Sequence, residues 1–275
     1  MSKQTHSANN WASVVVTGAG SGIGLRLAEI LAEQGSSVVA LDRAFSNQAK
    51  SRLSEAGEFV VYITGDISDA ESMVKKFADT AAQTGPFDLV INCAGVQCAK
   101  TFDELSSDDF NQVINVNLIG SRNVAAAALP HMIKGSRLIF ISSLAGLTYT
   151  YGYAAYNASK WGVMGLAGAL RLEYKPSGIG ISVVCPPEFD SPLVVEERKT
   201  APALTFKMKA LAGSLTLNEV ATAILIGANK GKDTIIPGRM ARVVAFIARH
   251  FPSVMQAASH KMVADGLRAE QNLKN

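Results

Sequence analysis

The chain has 275 residues, of which 48% are hydrophobic and 18% charged, and its net charge is +3. These totals suit a single α/β domain with a packed core, and they argue against nucleic-acid binding because residues 1–230 contain no basic cluster. The N-terminus lacks the apolar segment of a signal peptide, and no run approaches the ~20 apolar residues of a membrane span. We therefore expect a cytoplasmic protein without a transmembrane segment.

Short apolar runs alternate with longer amphipathic segments over the first two thirds of the chain. The amphipathic segments predict helices from Ile23 to Gln34 and from Ala70 to Gln83, with a further helical stretch after the second strand. The apolar runs predict six strands: Ser13–Thr17, Ser37–Leu41, Phe59–Thr64, Leu89–Asn92, Leu138–Ile141 and Ile181–Val184. Strands buried on both faces and separated by helices predict a doubly wound parallel sheet in a single domain.

A glycine-rich segment lies between the first strand and the first helix. Backbone N–H groups in such a turn can approach a pyrophosphate, whose charge the helix N-terminus favours. The residues expected to bind it are Gly18, Ser21, Gly22, Ile23 and Gly24. Because the loop is the first βα turn, we predict a Rossmann-type dinucleotide site there.

The end of the second strand bears on the choice of dinucleotide. Asp42 lies there, and its carboxylate can accept both ribose hydroxyls while repelling a 2′-phosphate. Arg43 follows and can pair with a 2′-phosphate. We therefore expect NAD(H) as the preferred cofactor, with NADP(H) as the alternative.

Two further strand ends are predicted to border the cofactor. Asp66 and Ile67 follow the third strand, where they can touch the adenine ring. Asn92, Ala94 and Gly95 follow the fourth strand, where a small and flexible backbone is needed beside the cofactor.

A tyrosine and a lysine four residues apart form the candidate catalytic group. Tyr156 and Lys160 lie on one face of a predicted helix, and a nearby ammonium favours the phenolate. Ser143 ends the fifth strand, where its hydroxyl can hydrogen-bond a substrate oxygen. Asn117 lies inside the preceding helical stretch, where an amide indicates a bound water, a local kink or a satisfied structural amide.

Taken together, these motifs resemble those of the short-chain dehydrogenase/reductase family over residues 12–236. The resemblance implies an NAD(P)-dependent enzyme that interconverts a ketone and a secondary alcohol. It implies that Tyr156 is the acid/base, that Ser143 orients the substrate oxygen, that Lys160 lowers the tyrosine pKa and holds the nicotinamide ribose, and that Asn117 holds a water in a proton relay. It also implies a homodimer or homotetramer through the helices that carry Asn117 and Tyr156.

The chain departs from the family pattern at two places. Cys93 stands where the family usually has a second asparagine, which is a small change. After the sixth strand, Pro186 and Pro187 begin a Pro-Pro-Glu-Phe-Asp-Ser-Pro segment in place of the usual Pro-Gly-x-x-x-Thr. Pro187 stiffens this turn, and Ser191 can replace the threonine hydroxyl that contacts the nicotinamide carboxamide. We expect Pro186 and Ser191 to border the cofactor.

This proline-rich segment is similar to that of the 3-ketosphinganine (3-ketodihydrosphingosine) reductases. The segments Asn92–Gly95, Tyr151–Tyr156 and Arg171–Pro176 are similar to that branch as well. The resemblance implies a long-chain or lipid-like 3-keto substrate. Against it, these reductases are expected to use NADPH, and the membrane segments of the eukaryotic members are missing here.

Other functions remain open from the sequence. One is a generic secondary alcohol dehydrogenase, or a 3-oxoacyl or hydroxysteroid-type reductase. Another is a non-catalytic dinucleotide sensor, although a sensor would need only the nucleotide half of the motifs. The three cysteines have no metal-type spacing, so we predict buried thiols and no metal site.

The chain continues well beyond the last predicted strand near Thr234–Ile236. We divide it into an N-terminal arm (1–11), a dinucleotide-binding and catalytic domain (12–238) and a helical extension (239–275). Within the extension, the pattern from Arg239 to Phe251 predicts a basic amphipathic helix, and Pro252 can start another helix. Such a helix can act as a lid or subunit interface, touch a membrane surface weakly, or simply pack on the domain.

Overall fold

A seven-stranded parallel sheet organises the protein. The computed structural model describes residues 11–274, so almost all of the predicted N-terminal arm lies outside the described residues. The strands are β1 Ser13–Thr17, β2 Ser37–Asp42, β3 Val60–Thr64, β4 Phe87–Asn92, β5 Met132–Ile141, β6 Gly180–Val184, β7 Glu188–Phe189, β8 Ser214–Leu215 and β9 Thr234–Ile235. The sheet order is β3-β2-β1-β4-β5-β6-β9, and β7 pairs with β8 in a separate small ribbon.

Helices cover both faces of this sheet. They are α1 Gly22–Glu33, α2 Asn47–Ala56, α3 Ala70–Thr84, α4 Ser107–Ile114, α5 Gly120–Ala128, α6 Ala154–Tyr174, α7 Pro192–Glu197, α8 Ala203–Ala210, α9 Leu217–Asn229, α10 Arg239–His250 and α11 Pro252–Lys274. The predicted Rossmann-type doubly wound sheet is confirmed, with strand and helix ends within a few residues of expectation. The exception is β5, which begins six residues earlier than predicted, at Met132.

The core shows why the β1 sequence forms a buried strand. Val14 and Val16 pack on the face covered by α1 and α9, whereas Val15 packs on the opposite face with residues of α3 and α6. All three are at most 1% exposed. A run of β-branched residues without polar alternation therefore buries apolar area on both sides of the sheet.

The topology determines where a ligand can bind. Strand order reverses between β1 and β4, which are neighbours in the sheet with β2 on one side and β5 on the other. Open parallel sheets bind ligands at the carboxyl ends of their strands at such a switch point. The glycine loop after β1 and the segment after β4 meet there.

Candidate active site

A cleft at the carboxyl edge of the sheet collects the residues predicted to bind the dinucleotide. Those lining it are Gly18, Ser21, Gly22, Ile23, Gly24, Asp42, Arg43, Asp66, Ile67, Ala94, Gly95 and Ser191. A second cleft adjoins it and is lined by Ser143, Tyr156, Lys160 and Pro186, together with Ile23, Gly95 and Ser191 from the first. The structure thus brings the two predicted halves of the site together.

The glycine loop forms a cradle that side chains would fill. Gly18 has φ +68°, and a Cβ there would lie 2.6 Å from the backbone nitrogen of Ala94. A Cβ on Gly24 would lie 2.1 Å from the Gly18 carbonyl oxygen. The N-cap residue of α1, Ser21, makes no side-chain cap hydrogen bond, and the first turn carries no acidic residue. The residues therefore fit a pyrophosphate at the helix N-terminus.

Asp42 lies across from this loop. Its Oδ2 accepts a hydrogen bond from the Gly20 backbone nitrogen at 2.8 Å, and its Oδ1 accepts one from Ala44 at 3.3 Å. Arg43 is largely exposed and lies 3.9 Å from an Asp66 carboxylate oxygen. The Asp42 carboxylate therefore forms part of the cleft wall. The Arg43 guanidinium next to it is oriented toward the Asp66 carboxylate.

Asn92 is the predicted cofactor residue that the structure places away from the cleft. Its side chain is buried, accepting from the Thr17 hydroxyl at 2.6 Å and donating to the Ser121 hydroxyl at 2.8 Å. The amide therefore ties β1 and β4 to α5. Ala94 and Gly95, which follow it, supply the small backbone that borders the cleft.

The candidate catalytic side chains come from two elements. Ser143 follows β5, and Tyr156 and Lys160 lie in the first two turns of α6. The Ser143 hydroxyl accepts a hydrogen bond from the Ala145 nitrogen at 3.1 Å and lines the same cleft as the Tyr156 phenol. The Lys160 Nζ lies 5.4 Å from the Tyr156 ring centroid and donates to the Ile141 carbonyl at 3.1 Å. Two hydroxyls and an ammonium thus converge on one end of the cleft.

Burial dominates the proton affinities of this group. It lowers the pKa of Lys160 to about 8. It raises the pKa of Tyr156, an effect that the nearby Ser143 hydroxyl opposes and the Glu197 carboxylate reinforces. The expected lowering of the Tyr156 pKa by Lys160 is therefore not seen, because the ammonium lies over the ring and the phenol is desolvated. Tyr156 is a protonated phenol at neutral pH.

Asn117 lies in a π-helical turn, Asn115–Ile119, between α4 and α5. Its amide nitrogen donates to the Val96 carbonyl at 2.9 Å and to the Ser159 hydroxyl at 3.1 Å, while its Oδ1 accepts from the Val96 nitrogen at 2.8 Å. The side chain borders Gly95 but is satisfied by protein groups. The local kink and the structural amide considered from the sequence are both present, and a water-holding role stays a prediction.

The proline-rich segment, residues 186–192, lines the cleft that contains Ser143 and Tyr156. The Pro186 carbonyl accepts a hydrogen bond from the Leu144 nitrogen at 2.8 Å, which ties the segment to the turn after Ser143. Ser191 caps α7 through its hydroxyl, which accepts from the Val194 nitrogen at 3.3 Å. Pro186 and Ser191 therefore lie at the site, as expected for cleft residues.

A buried polar network beside Tyr156 was not anticipated from the sequence. Tyr153 packs edge-on against Tyr156, with ring centroids 5.0 Å apart, and its hydroxyl donates to Glu197 and accepts from Gln97. Lys209 bonds Glu197 at 2.6 Å and lies 2.7 Å from Glu188. The sequence signal was weak, since Glu197 and Lys209 look like ordinary surface charges until α7 and α8 fold over α6.

The C-terminal extension forms the outer part of the same cleft. Val244 of α10 and Met255 and Ser259 of α11 line it with Leu211. The buried side of α10, Ala241 and Ala245, packs in a cluster with Leu144 and Ala212. The extension therefore borders the cleft, and the lid role considered from the sequence stays a prediction.

Other predicted features can be checked against the described residues. Cys185 is buried as expected, whereas Cys93 and Cys98 are only half-buried. Within residues 11–274, no group of three or more His, Cys, Asp or Glu side chains is arranged to hold a metal ion. No helix in that part of the chain combines the length and apolarity needed to cross a bilayer.

Comparison with known proteins shows the family of the chain. The family model for short chain dehydrogenases matches residues 12–202. The chain belongs to the short-chain dehydrogenase family. It is an oxidoreductase that uses a nicotinamide dinucleotide to interconvert ketones and secondary alcohols.

Individual members of the short-chain dehydrogenase family show how similar the chain is. The 3-dehydrosphinganine reductase TSC10B of Arabidopsis thaliana is 37% identical over 230 residues, covering 81% of this chain and 68% of the relative. A short-chain dehydrogenase/reductase of Burkholderia phymatum, solved with NAD, superposes with a TM-score of 0.78 at 23% identity over 90% of this chain and 96% of its own. One of Burkholderia cenocepacia, solved with NADP, gives 0.76 at 23% identity over 92% and 99%.

Proposed function

We propose that this protein reduces a long-chain 3-keto lipid of the 3-ketosphinganine type to the secondary alcohol. The observation that carries the proposal is the shape and lining of the cleft. Ser143 and Tyr156 lie at its inner end, and mainly apolar side chains, including Leu211, Val244 and Met255, form its outer walls. The similarity to TSC10B, named a 3-dehydrosphinganine reductase, supports the same substrate class.

In the proposed reaction, the ketone oxygen lies between the hydroxyls of Ser143 and Tyr156. When bound, the reduced dinucleotide supplies the hydride to the carbonyl carbon. Ser143 donates a hydrogen bond to the oxygen as negative charge develops there, and Tyr156 transfers its phenolic proton to it. Because burial raises the pKa of Tyr156, the resting phenol is a proton donor, which suits ketone reduction.

Lys160 and Asn117 are assigned supporting roles in this proposal. The Lys160 ammonium, buried beside the Tyr156 ring, holds the nicotinamide ribose and stabilises the phenolate left after proton transfer. Asn117 joins the segment after β4 to α6 through Val96 and Ser159, so it holds Gly95 and Lys160 in register. We also propose that Asn117 holds a water in a proton relay at this end of the cleft.

We propose NAD(H) as the preferred dinucleotide. Asp42 lies on the wall of the nucleotide cleft and would accept the ribose hydroxyls, and its charge would repel a 2′-phosphate. Arg43 is paired with Asp66 at 3.9 Å, which weakens it as a phosphate ligand. Phosphate and nicotinamide contacts are assigned to the glycine loop, Pro186 and Ser191.

We also propose a cytoplasmic homodimer or homotetramer. Support for the assembly comes from the exposed apolar side chains Ile119, Trp161 and Leu172, which lie on or beside the helices that carry Asn117 and Tyr156. Support for the compartment comes from the three free thiols, Cys93, Cys98 and Cys185, which suit a reducing environment.

The test is a steady-state screen of ketone reduction with NADH and NADPH over 3-keto sphingoid bases of graded chain length. Each added methylene that enters the apolar cleft contributes ~0.8 kcal/mol, so kcat/KM should rise up to about fourfold per carbon before levelling off. A flat dependence on chain length would contradict the lipid proposal and favour a generic secondary alcohol dehydrogenase. Preference for a rigid steroid ketone or a 3-oxoacyl thioester would identify those reductase types instead.

A non-catalytic dinucleotide sensor is the competing function. It would bind the dinucleotide through the glycine loop without using Ser143, Tyr156 or Lys160. The placement of Ser143, Tyr156 and Lys160 in one cleft argues against it, since binding alone does not require that arrangement. Dinucleotide binding without turnover of any ketone in the screen would favour the sensor.

A further inference from the structure

The outer side of the C-terminal helices exposes a cluster of large apolar side chains. Within α10, Met240, Val243 and Phe246 are 54%, 50% and 56% exposed, and Phe251 and Val254 follow at 53% and 61%. We call these five residues the C-terminal apolar face. Their exposure is a property of the folded helix pair, because the opposite side of α10 is already buried through Ala241 and Ala245.

The charged residues within positions 239–264 are all of one sign. Residues 239–264 include Arg239, Arg242, Arg249 and Lys261 and contain no aspartate or glutamate. On α10 the arginines lie three and four residues from the exposed apolar positions, so they share the solvent side of the helix. His250 stacks on Phe246 with ring centroids 4.3 Å apart and extends the polar border.

The face adjoins the catalytic cleft, because Val244 and Met255, which are next to members of the face in sequence, line that cleft. Val244 lies between Val243 and Phe246 in sequence but points into the cleft, where Met255 and Leu211 line the same wall. Leu211 is itself 52% exposed, so apolar surface runs from the neighbourhood of Tyr156 to the outside. A chain that leaves the cleft therefore emerges beside the C-terminal apolar face.

We propose that the C-terminal apolar face docks on an anionic lipid bilayer, with α10 lying in the plane of the interface. Exposed phenylalanine and aliphatic side chains bordered by arginine are the composition of interfacial helices. Each basic residue near an anionic surface increases the partition coefficient about fivefold. Docking places the cleft mouth against the bilayer, from which a lipid substrate can enter.

A second copy of the chain fits this face less well than a bilayer does. In a two-fold dimer the same patch meets itself, so Arg239, Arg242 and Arg249 would oppose identical charges. No acidic residue in residues 239–264 is present to compensate them. An anionic lipid surface supplies the missing negative charge without that repulsion.

The role in substrate entry rests on the proposed function, but bilayer binding itself does not. Full-length protein is sedimented with vesicles of equimolar phosphatidylglycerol and phosphatidylcholine, and with pure phosphatidylcholine vesicles. We expect strong binding to the first at low salt, little to the second, and a loss at high salt because surface charges are screened. Absence of binding to anionic vesicles, or equal binding to both, would overturn the proposal.

Two variants separate the charge from the apolar contribution. Replacing both Arg239 and Arg249 by alanine should weaken binding more than tenfold, as should Phe246→Ser. The matched controls are the Lys50→Ala/Lys75→Ala pair on α2 and α3 and Phe59→Ser just before β3, which change exposed residues elsewhere. Retained dinucleotide binding establishes that each variant is folded.

Vesicle binding by the variants tests the docking proposal directly. Equal vesicle binding by variants and controls would overturn the proposal. A change in assembly mass on Phe246→Ser, with vesicle binding unaltered, would overturn it in favour of a subunit contact. Because the vesicle assay needs no turnover, failure of the chain-length screen with intact docking would contradict only the proposed substrate.

Discussion

Tyr153 packs edge-on against Tyr156 while its hydroxyl is held by the buried carboxylate of Glu197. This contact connects the catalytic helix α6 to α7, which covers the cleft. Lys209 of α8 closes the same network at 2.6 Å from Glu197. The orientation of the candidate acid therefore depends on two helices that are distant from it in sequence.

The Tyr153→Phe variant tests this connection. The ring remains against Tyr156, but Glu197 loses a hydrogen bond in a buried setting, which costs about 1–3 kcal/mol. We expect a lower melting temperature and a kcat reduced about tenfold, with the KM for NADH unchanged. The control is Tyr149→Phe, which alters an exposed tyrosine. If Tyr153→Phe has wild-type kcat, the network does not orient Tyr156.

The Tyr156→Phe variant tests the assignment of the acid. Its ring still fills the space beside Tyr153, but no proton is available for the substrate oxygen. General acid catalysis typically contributes about 10²–10⁴-fold, so kcat should fall by that amount. NADH binding, followed by fluorescence titration, should be unchanged. Full turnover in this variant would show that another group donates the proton.

The Asp42→Ala variant tests the cofactor preference. Removing the carboxylate that accepts from Gly20 also removes the charge that repels a 2′-phosphate. The ratio of kcat/KM for NADH to that for NADPH should fall at least tenfold, mainly through a lower KM for NADPH. A wild-type protein that already prefers NADPH in paired kinetics would contradict the proposed role of Asp42.

The Lys160→Met variant tests the effect of burial on the lysine. Burial lowers the pKa of Lys160 to about 8, below the 10.5 of a solvent-exposed lysine. Between these values the unfolded chain binds more protons than the folded one, so this residue's contribution to stability rises with pH. Below pH ~8 the buried ammonium carries its full cost, on the order of 3 kcal/mol.

The measurement for Lys160 is the difference in unfolding free energy between wild type and variant from pH 7 to pH 10. That difference should move in favour of the wild type by up to about 3 kcal/mol as pH rises, because the methionine does not titrate. Activity of the variant should be low throughout. A pH-independent difference would mean that Lys160 has an ordinary pKa in the folded protein.

The fold and the nucleotide half of the site were predictable from local sequence. Apolar runs such as Val14–Val16 have to be buried on both sides, and a glycine loop at the first βα turn has a fixed place in a parallel sheet. Gly18 and Gly24 then follow from steric exclusion, since a Cβ at either position meets backbone atoms. These features depend on residues close together in the chain.

The polar network and the electrostatics of the catalytic group depended on tertiary structure. Glu197 and Lys209 meet Tyr153 only because α7 and α8 fold across the start of α6, and no local pattern encodes that approach. The Tyr156 pKa is raised where the sequence predicted that Lys160 would lower it, because desolvation is set by everything packed around the phenol.

By itself, the sequence determined the parallel α/β sheet and the glycine-rich loop at its edge, and it predicted the candidate group of Ser143, Tyr156 and Lys160. These features follow from hydrophobic periodicity and from short sequence spacings. Residues so spaced lie together because they share one strand end or one helix face. Only the tertiary structure decided which helices cover the cleft, which charges surround the acid and which side of α10 stays exposed. Those properties depend on contacts between residues that are far apart in sequence. Burial controls both the pKa values and the exposed surface, and it is fixed only when all of these contacts have formed.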